Sequence, residues 1–360
     1  MEKRPIRVGL IGFGMAGQVF HAPVITAVDG LILHKVSART AERRSLLQER
    51  YPTTTVVDNA DGIIHADDID LVVVATSNDM HYPLAKAALL AGKAVVVEKP
   101  FTNTSAEADE LIQVAESKAL LLSVHHNARW NSDYLTVKKV ISDGALGQLV
   151  SFEARYDRFR NTLKENAWRE EDLPGSGILY DLGAHLIDQA LELFGRPEAI
   201  NADLRKQRPG AKAVDDFELI LHYPYLKVSL RGAMLVKEPS PRYALYGLNG
   251  AFVKYGIDPQ EAALKAGKSP KDDPDWGKEP ADIHGKLNVL GANGADQISF
   301  VESERGNYPA FYQNIYDALV GVAPLVVRPQ QARDVIRIIE LAEQSWAERR
   351  TVDVTMDANA

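Results

Sequence analysis

IRVGLIGFGMAG, from Ile6 to Gly17, decides the fold. Its first half is a short apolar run rich in β-branched residues and ended by Gly12, which reads as a buried parallel strand. Its second half, Gly12–Gly17, fits G-x-G-x-x-G. The pattern alone is weak. Here it directly follows a strand, and Met15 to Val28 reads as a helix, so it opens a βαβ unit of the dinucleotide-binding kind. The glycines allow a tight turn and the close approach of a pyrophosphate. The helix start at Met15 offers it free N–H groups and partial positive charge. Gly12, Phe13, Gly14, Met15, Ala16 and Gly17 are therefore candidate cofactor contacts. A glycine turn that merely packs is the alternative.

Outward from this stretch, strand and helix alternate. LILHKVS (Leu31–Ser37), TTVV (Thr54–Val57), DLVVVAT (Asp70–Thr76), KAVVVEK (Lys93–Lys99) and ALLLSV (Ala119–Val124) read as strands. Residues 40–50, 82–90 and 105–117 read as helices. This alternation predicts an α/β domain over residues 1–124, a doubly wound parallel sheet of the Rossmann type. After a further helix at Asp133–Ser142 the pattern changes. QLVSFEARYD, AINADLRKQ, DDFELILHY, LKVSLRGAM and PRYALYGL follow one another without helices. They predict a C-terminal α+β domain, residues 125–360, with an open, mostly antiparallel sheet. Residues 266–297, rich in Gly, Pro, Asp and Lys, read as a long loop with one hairpin. Gln330–Arg349 reads as a helix.

The chain has 360 residues, enough for two domains. Its net charge is −8 and no basic run stands out, which argues against nucleic acid. It contains no cysteine, so disulfides, thiolate metal sites and cysteine nucleophiles are excluded. No apolar run reaches the length of a membrane span. Lys3, Arg4 and Arg7 before an apolar stretch loosely imitate a secretion signal, but four glycines break the run and no cleavage site follows. The cytoplasm is the expected location.

The end of the second strand bears on cofactor choice. An NAD site places an acid there for the ribose 2′-hydroxyl. No acid occurs between Asp29 and Glu42. Ser37 and Thr40 can instead hydrogen-bond a 2′-phosphate and Arg39 can pair with it, so NADP is expected over NAD. An ordinary solvated arginine is the bland reading of Arg39.

The strand AVVVEKPF ends on Glu98, Lys99 and Pro100. Ligands of open parallel sheets bind outside the carboxyl ends of the strands. A charge on a buried strand is costly unless it is paired or functional. Lys99 is therefore read as pointing at the cofactor crevice, with Pro100 fixing the chain direction. A cis peptide before Pro100 would sharpen the turn. A structural Lys–Glu surface pair is the alternative. Thr76 and Asn78 follow the fourth strand at the same edge and should line the cofactor. His81 lies near them, though helix packing explains it equally well.

GFGMAG, EKPF and YDLGAHLID together resemble the glucose–fructose oxidoreductase / inositol dehydrogenase (Gfo/Idh/MocA) family over essentially the whole chain. FHAP, HHNARWNSDY, WRE, GSGILYDLGAHLIDQ and KYGIDPQE resemble a narrower subgroup that includes NADP-dependent scyllo-inositol dehydrogenases. The resemblance implies a catalytic set of Lys99, Asp181 and His185. Positions i and i+4 share a helix face, so Asp181 can orient His185 or meet the same substrate. His185 has the ordinary pKa to move protons near neutrality. Asp188 shares that face and is read as structural.

The implied reaction moves a hydride between NADP(H) and the CH–OH or carbonyl of a small-molecule polyol or sugar. His185 is assigned as general acid/base and Lys99 as donor to the reacting oxygen. The reverse assignment is also open. Glu98, Pro100, Asn127 and Trp168 join the cofactor contacts. Arg129, Tyr156 and Tyr180 join Lys99, Asp181 and His185 at the substrate. Simple packing is the competing reading for Trp168 and the two tyrosines. The chain departs from the family at Ala128, where relatives carry arginine, and at Asn131, where they carry an acid, so no contact is carried over there. His125 and His126 are adjacent rather than at ligand spacing, no His/Asp/Glu cluster suggests zinc, and no metal is expected. The family further implies a homodimer or homotetramer through the second domain's sheet. Two alternatives remain: an NADPH-dependent enzyme for an aldose or sugar acid, and a dinucleotide-binding sensor without turnover.

Overall fold

The computed structural model describes residues 5–165 and 167–355. Lys3 and Arg4, weighed above as part of a signal, lie outside them, as do the last five residues assigned to the second domain. The chain forms two compact units. The first holds the residues up to Asn127 together with Gln260–Trp276 and Asn307–Arg333. The second holds Ala128–Pro259, Gly277–Gly306 and the chain from Asp334 onward. The single crossing expected after residue 124 thus becomes a crossing after Asn127 with two later returns. Nothing in residues 260–276 or 307–333 alone names their partners, the Gly17–His21 segment for Gln260–Lys265 and the helix Ala22–Ile25 for Pro309–Leu319.

In the first unit, β1 (Ile6–Ile11), β2 (Leu31–Ser37), β3 (Thr55–Val57), β4 (Leu71–Val74), β5 (Ala94–Glu98) and β6 (Leu122–His125) form one sheet. The order is β3-β2-β1-β4-β5-β6 and every pairing is parallel. This is the doubly wound order. Every residue of β4 and β5 is buried, as strands covered on both faces require. The expected first helix is not regular: the chain turns helical at Met15, passes through a π-helical segment at Gly17–His21 and ends as α1 (Ala22–Ile25). The other helices up to this point are α2 (Ala41–Arg50), α3 (Asp61–Ile64), α4 (His81–Leu90) and α5 (Ser105–Ser117). Thr104 and Glu107 form a reciprocal capping box that fixes the start of α5 where the sequence placed it.

The second unit begins with α6 (Ser132–Ser142), followed by β7 (Leu149–Asp157), α7 (Ala184–Phe194), β8 (Ala199–Arg205), β9 (Asp216–His222), β10 (Lys227–Ala233), β11 (Tyr243–Gly247) and β12 (Gly250–Lys254). Then come α8 (Gln260–Lys265), which belongs to the first unit, and the hairpin β13 (Gly285–Leu290) and β14 (Asp296–Val301). α9 (Pro309–Leu319) returns to the first unit, α10 (Pro329–Glu348) starts there, and β15 (Val352–Asp353) closes the sheet edge. The nine strands run in the order β14-β13-β12-β11-β7-β10-β9-β8-β15. Only β7 with β10 is parallel. β8 alternates buried and half-buried residues, the sign of one packed face. The hairpin expected within 266–297 is present, although it runs on to Val301. Sequence reading missed β12, α3, α8 and α9, all short or flanked by glycine and proline.

Candidate active site

Because the first sheet is parallel, the carboxyl ends of β1, β4 and β5 share one edge. Gly12 and Lys99 follow the ends of β1 and β5 directly, and Thr76 follows that of β4 after Ala75. Gly12 has φ +101°, and a side-chain carbon there would stand 2.4 Å from the Ala75 carbonyl oxygen. One at Gly17 would stand 2.2 Å from the Gly12 oxygen. Both glycines are required by the turn itself. Gly14 differs, since an added carbon would meet nothing within 4 Å. The protein's own packing does not call for glycine at that position, whereas a pyrophosphate brought against the backbone would. The cradle therefore fits a dinucleotide. Phe13 is buried beneath it, and Met15 is exposed.

Ser37 Oγ accepts from the Gly12 N–H at 3.0 Å, so this hydroxyl braces the cradle. Thr40 caps α2, its Oγ1 accepting from the Arg43 N–H at 3.3 Å. Arg39 is exposed, and Arg44 pairs with Asp58. Thr76 is half-buried, and Asn78 is buried in a 3₁₀ turn that leads into α4. Asn127 is buried at the start of another 3₁₀ turn. The Lys99–Pro100 peptide is cis.

Glu98 was expected at the cofactor. Its carboxylate instead turns into the protein, where Oε1 accepts from His125 Nδ1 at 3.0 Å and lies 3.2 Å from His21 Nε2. Burial pushes the carboxyl up, but the hydrogen bonds from His125 and His21 outweigh it and hold it well below the ordinary range. Burial and His125 push His21 down to about 4 against the pull of Glu98. The expectation that no His/Glu cluster forms also needs correction. Ligand atoms of His21, Glu98 and His125 lie within 4.8 Å of one another. They are far apart in sequence, so spacing could not reveal them. The carboxylate is met by His125 Nδ1 and faced by His21 Nε2, while His125 Nε2 makes no hydrogen bond.

In the second unit, Asp181 lies in a π-helical segment, Leu179–Gly183, that runs straight into α7, which carries His185. The regular helix assumed for their spacing is thus wound wider at Asp181, and such π segments recur at functional sites. Arg169 Nε lies 3.6 Å from Asp181 Oδ1, and its guanidinium stacks 4.7 Å over Trp168. The Tyr156 ring lies 6.2 Å from that of His185. Tyr180 is buried.

Arg129, expected at the substrate, is 4% exposed and gives Nε and Nη2 to Asp188 at 2.8 and 2.6 Å. Its fork serves a buried ion pair, which also confirms Asp188 as structural. Sequence reading missed Arg242. This buried guanidinium stacks 3.7 Å over Tyr156 and donates to Asp133 at 3.1 Å, supporting the ring beside His185 from behind. Nothing at the start of β11 announced it.

Two family models match the chain. Residues 6–126 match the oxidoreductase family's NAD-binding Rossmann fold, and residues 138–354 match its C-terminal alpha/beta domain. The chain belongs to the Gfo/Idh/MocA oxidoreductase family. Within that family it is 45% identical to the uncharacterized oxidoreductase YdgJ of Escherichia coli, over 96% of this chain and 98% of that one. It is 40% identical to the scyllo-inositol 2-dehydrogenase (NADP(+)) IolW of Bacillus subtilis, over 96% and 95%. The solved structure of yvaA from Bacillus subtilis matches with a TM-score of 0.94 at 38% identity, over 99% and 100%. As a Gfo/Idh/MocA protein the chain has an NAD(P)-binding Rossmann domain. No helix among its described residues is long and apolar enough to cross a membrane.

Proposed function

We propose that the protein is an NADP-dependent dehydrogenase of a cyclic polyol resembling scyllo-inositol. The observation that carries this reading is the edge of the parallel sheet, where the glycine cradle after β1 and Lys99 after β5 stand at carboxyl ends on either side of β4. IolW, named for that activity, supplies the substrate class. NADP over NAD is supported by the exposed Arg39 and by the lack of an acid at the end of β2.

The Gly12–Gly17 cradle would hold the cofactor, which would supply the hydride acceptor. The chain's own residues manage the proton. The substrate hydroxyl gives its proton to His185 as the C–H bond breaks and the carbonyl forms. Lys99 donates to the same oxygen and stabilises its developing charge. Asp181 orients the polyol, with Arg169 Nε 3.6 Å from its carboxylate.

The test is NADPH formation by purified protein on scyllo-inositol, with NAD⁺ and a Lys99→Ala variant in parallel. Turnover favouring NADP⁺ and falling about 10²- to 10⁴-fold in the variant is expected. Tight NADP binding without turnover on scyllo-inositol, myo-inositol or common aldoses would remove the dehydrogenase reading in favour of a sensor.

A further inference from the structure

Lys99 sits between two neighbours that are each anchored by buried histidines. On one side the Glu98 carboxylate meets His125 Nδ1 at 3.0 Å and His21 Nε2 at 3.2 Å. On the other, His81 Nδ1 donates to the Pro100 carbonyl at 2.8 Å. All three histidines are at most 1% exposed. They come from three different elements: the helix that follows the cradle, the start of α4, and the end of β6. A carboxylate and a carbonyl can only accept, so His125 Nδ1 donates to Glu98; His81 also faces the Thr76 carbonyl with Nε2 at 3.4 Å, and the shorter contact assigns its proton to Nδ1. His21 faces Glu98 with Nε2 at 3.2 Å, and its Nδ1 hydrogen-bonds the Tyr312 hydroxyl at 2.6 Å. That tyrosine comes from α9, so the later return of the chain also feeds the set.

A buried carboxylate costs free energy unless its partners satisfy it. A glutamate that merely ended a strand could have been apolar. Here its cost is offset by two elements, carrying His21 and His125, that converge on the residue beside Lys99.

We infer that His21, Glu98, His125 and His81 are positioning residues for Lys99, holding its backbone from both sides so that the ammonium meets the cofactor edge in one place. The coupling also runs the other way, since His21 belongs to the helix that the phosphate cradle opens. A strand end held this way needs no rearrangement when the cofactor arrives.

This inference rests on the reading of Lys99 as a residue that touches substrate, so its test has two independent arms. The first needs no substrate. Lysine acylation of the full-length protein is followed by peptide mass spectrometry in wild type, Glu98→Gln and His81→Gln. The rate at Lys99 is expected to change in both variants while the other lysines keep theirs. An unchanged Lys99 rate overturns the inference, even if no polyol is ever turned over.

The second arm is a double-mutant cycle on turnover. Glu98→Gln is expected to lower kcat about 10- to 100-fold with little change in the KM for NADP⁺. Repeated in Lys99→Ala, the same substitution should cost almost nothing more, because its effect passes through the missing amine. Multiplying costs would overturn the positioning role. His125→Asn, which keeps an N–H near the position of Nδ1, should retain more activity than His125→Leu, and this pair carries the test if Glu98→Gln does not fold. Stoichiometric Zn²⁺ in the purified protein, with activity lost to a chelator and restored by the metal, would overturn the inference by making the cluster a metal centre.

Discussion

At the scale of single residues, the same side-chain types do different work according to what they face. Arg39 and Arg129 were both read as ligand contacts. Arg39 is exposed, whereas Arg129 is consumed by Asp188. A charge-assisted hydrogen bond contributes about 1.5–3 kcal/mol, so Arg39→Ala should weaken NADP⁺ binding by roughly one to two decades. NAD⁺, which lacks the 2′-phosphate, should bind the variant as it binds wild type. Titration with the two cofactors checks this, and an equal loss for both would remove Arg39 from the selectivity argument. Glu98 teaches the opposite lesson about legibility. Its place beside Lys99 was plain in the sequence, but its partners lie 77 and 27 positions away, so its role was not.

At the scale of elements, the strands and most helices were legible because each carries its own period or its own cap. The π-helical segments were not, since Gly17–His21 and Leu179–Gly183 have the apolar spacing of ordinary helices. Elements of the second unit are also joined by a buried network that no local pattern shows. Lys254, at the end of β12, pairs with Glu279 at 2.5 Å, both fully buried, and Glu279 also accepts from Ser132 at the start of α6 and from Ser303 beyond β14. Lys254→Met leaves that carboxylate without its cation and should destabilise by about 3–5 kcal/mol, read as a lower urea midpoint. Adding Glu279→Gln to the variant should restore part of the loss. A single variant as stable as wild type would show that the pair contributes little.

At the scale of the whole molecule, the buried histidine cluster sets an acid limit. His21 stands at about 4 against its ordinary 6.5. Between those values the unfolded chain binds a proton there and the folded chain does not. Stability is therefore full above pH 6.5 and falls as pH drops toward 4, by up to about 3 kcal/mol. Glu98, depressed below its ordinary value, holds its contribution above pH 4.5 and loses it as pH falls through its folded value. Urea midpoints between pH 7 and 4.5 should fall steadily in wild type and less steeply in His21→Asn; equal slopes would exclude His21 as the cause. The outer hairpin bears on assembly. Ile298 and Phe300 on β14 are 56% and 70% exposed, two large apolar side chains on the outermost strand of the sheet. Phe300→Glu should lower the mass measured in solution if that edge is the contact, and leave it unchanged if it is not.

The sequence by itself determined the doubly wound sheet, the glycine cradle, the lysine at the end of β5 and the class of the second sheet. Each of these is written in a contiguous stretch whose period, turn chemistry or motif acts over a few residues. Only the tertiary structure decided which charges are spent on the protein itself. Glu98 and Arg129 turn inward because distant partners, His125 and His21 for the one and Asp188 for the other, offset the cost of a buried charge. Those partners are brought close by the folding of the chain, and their separation along it carries no trace of the meeting.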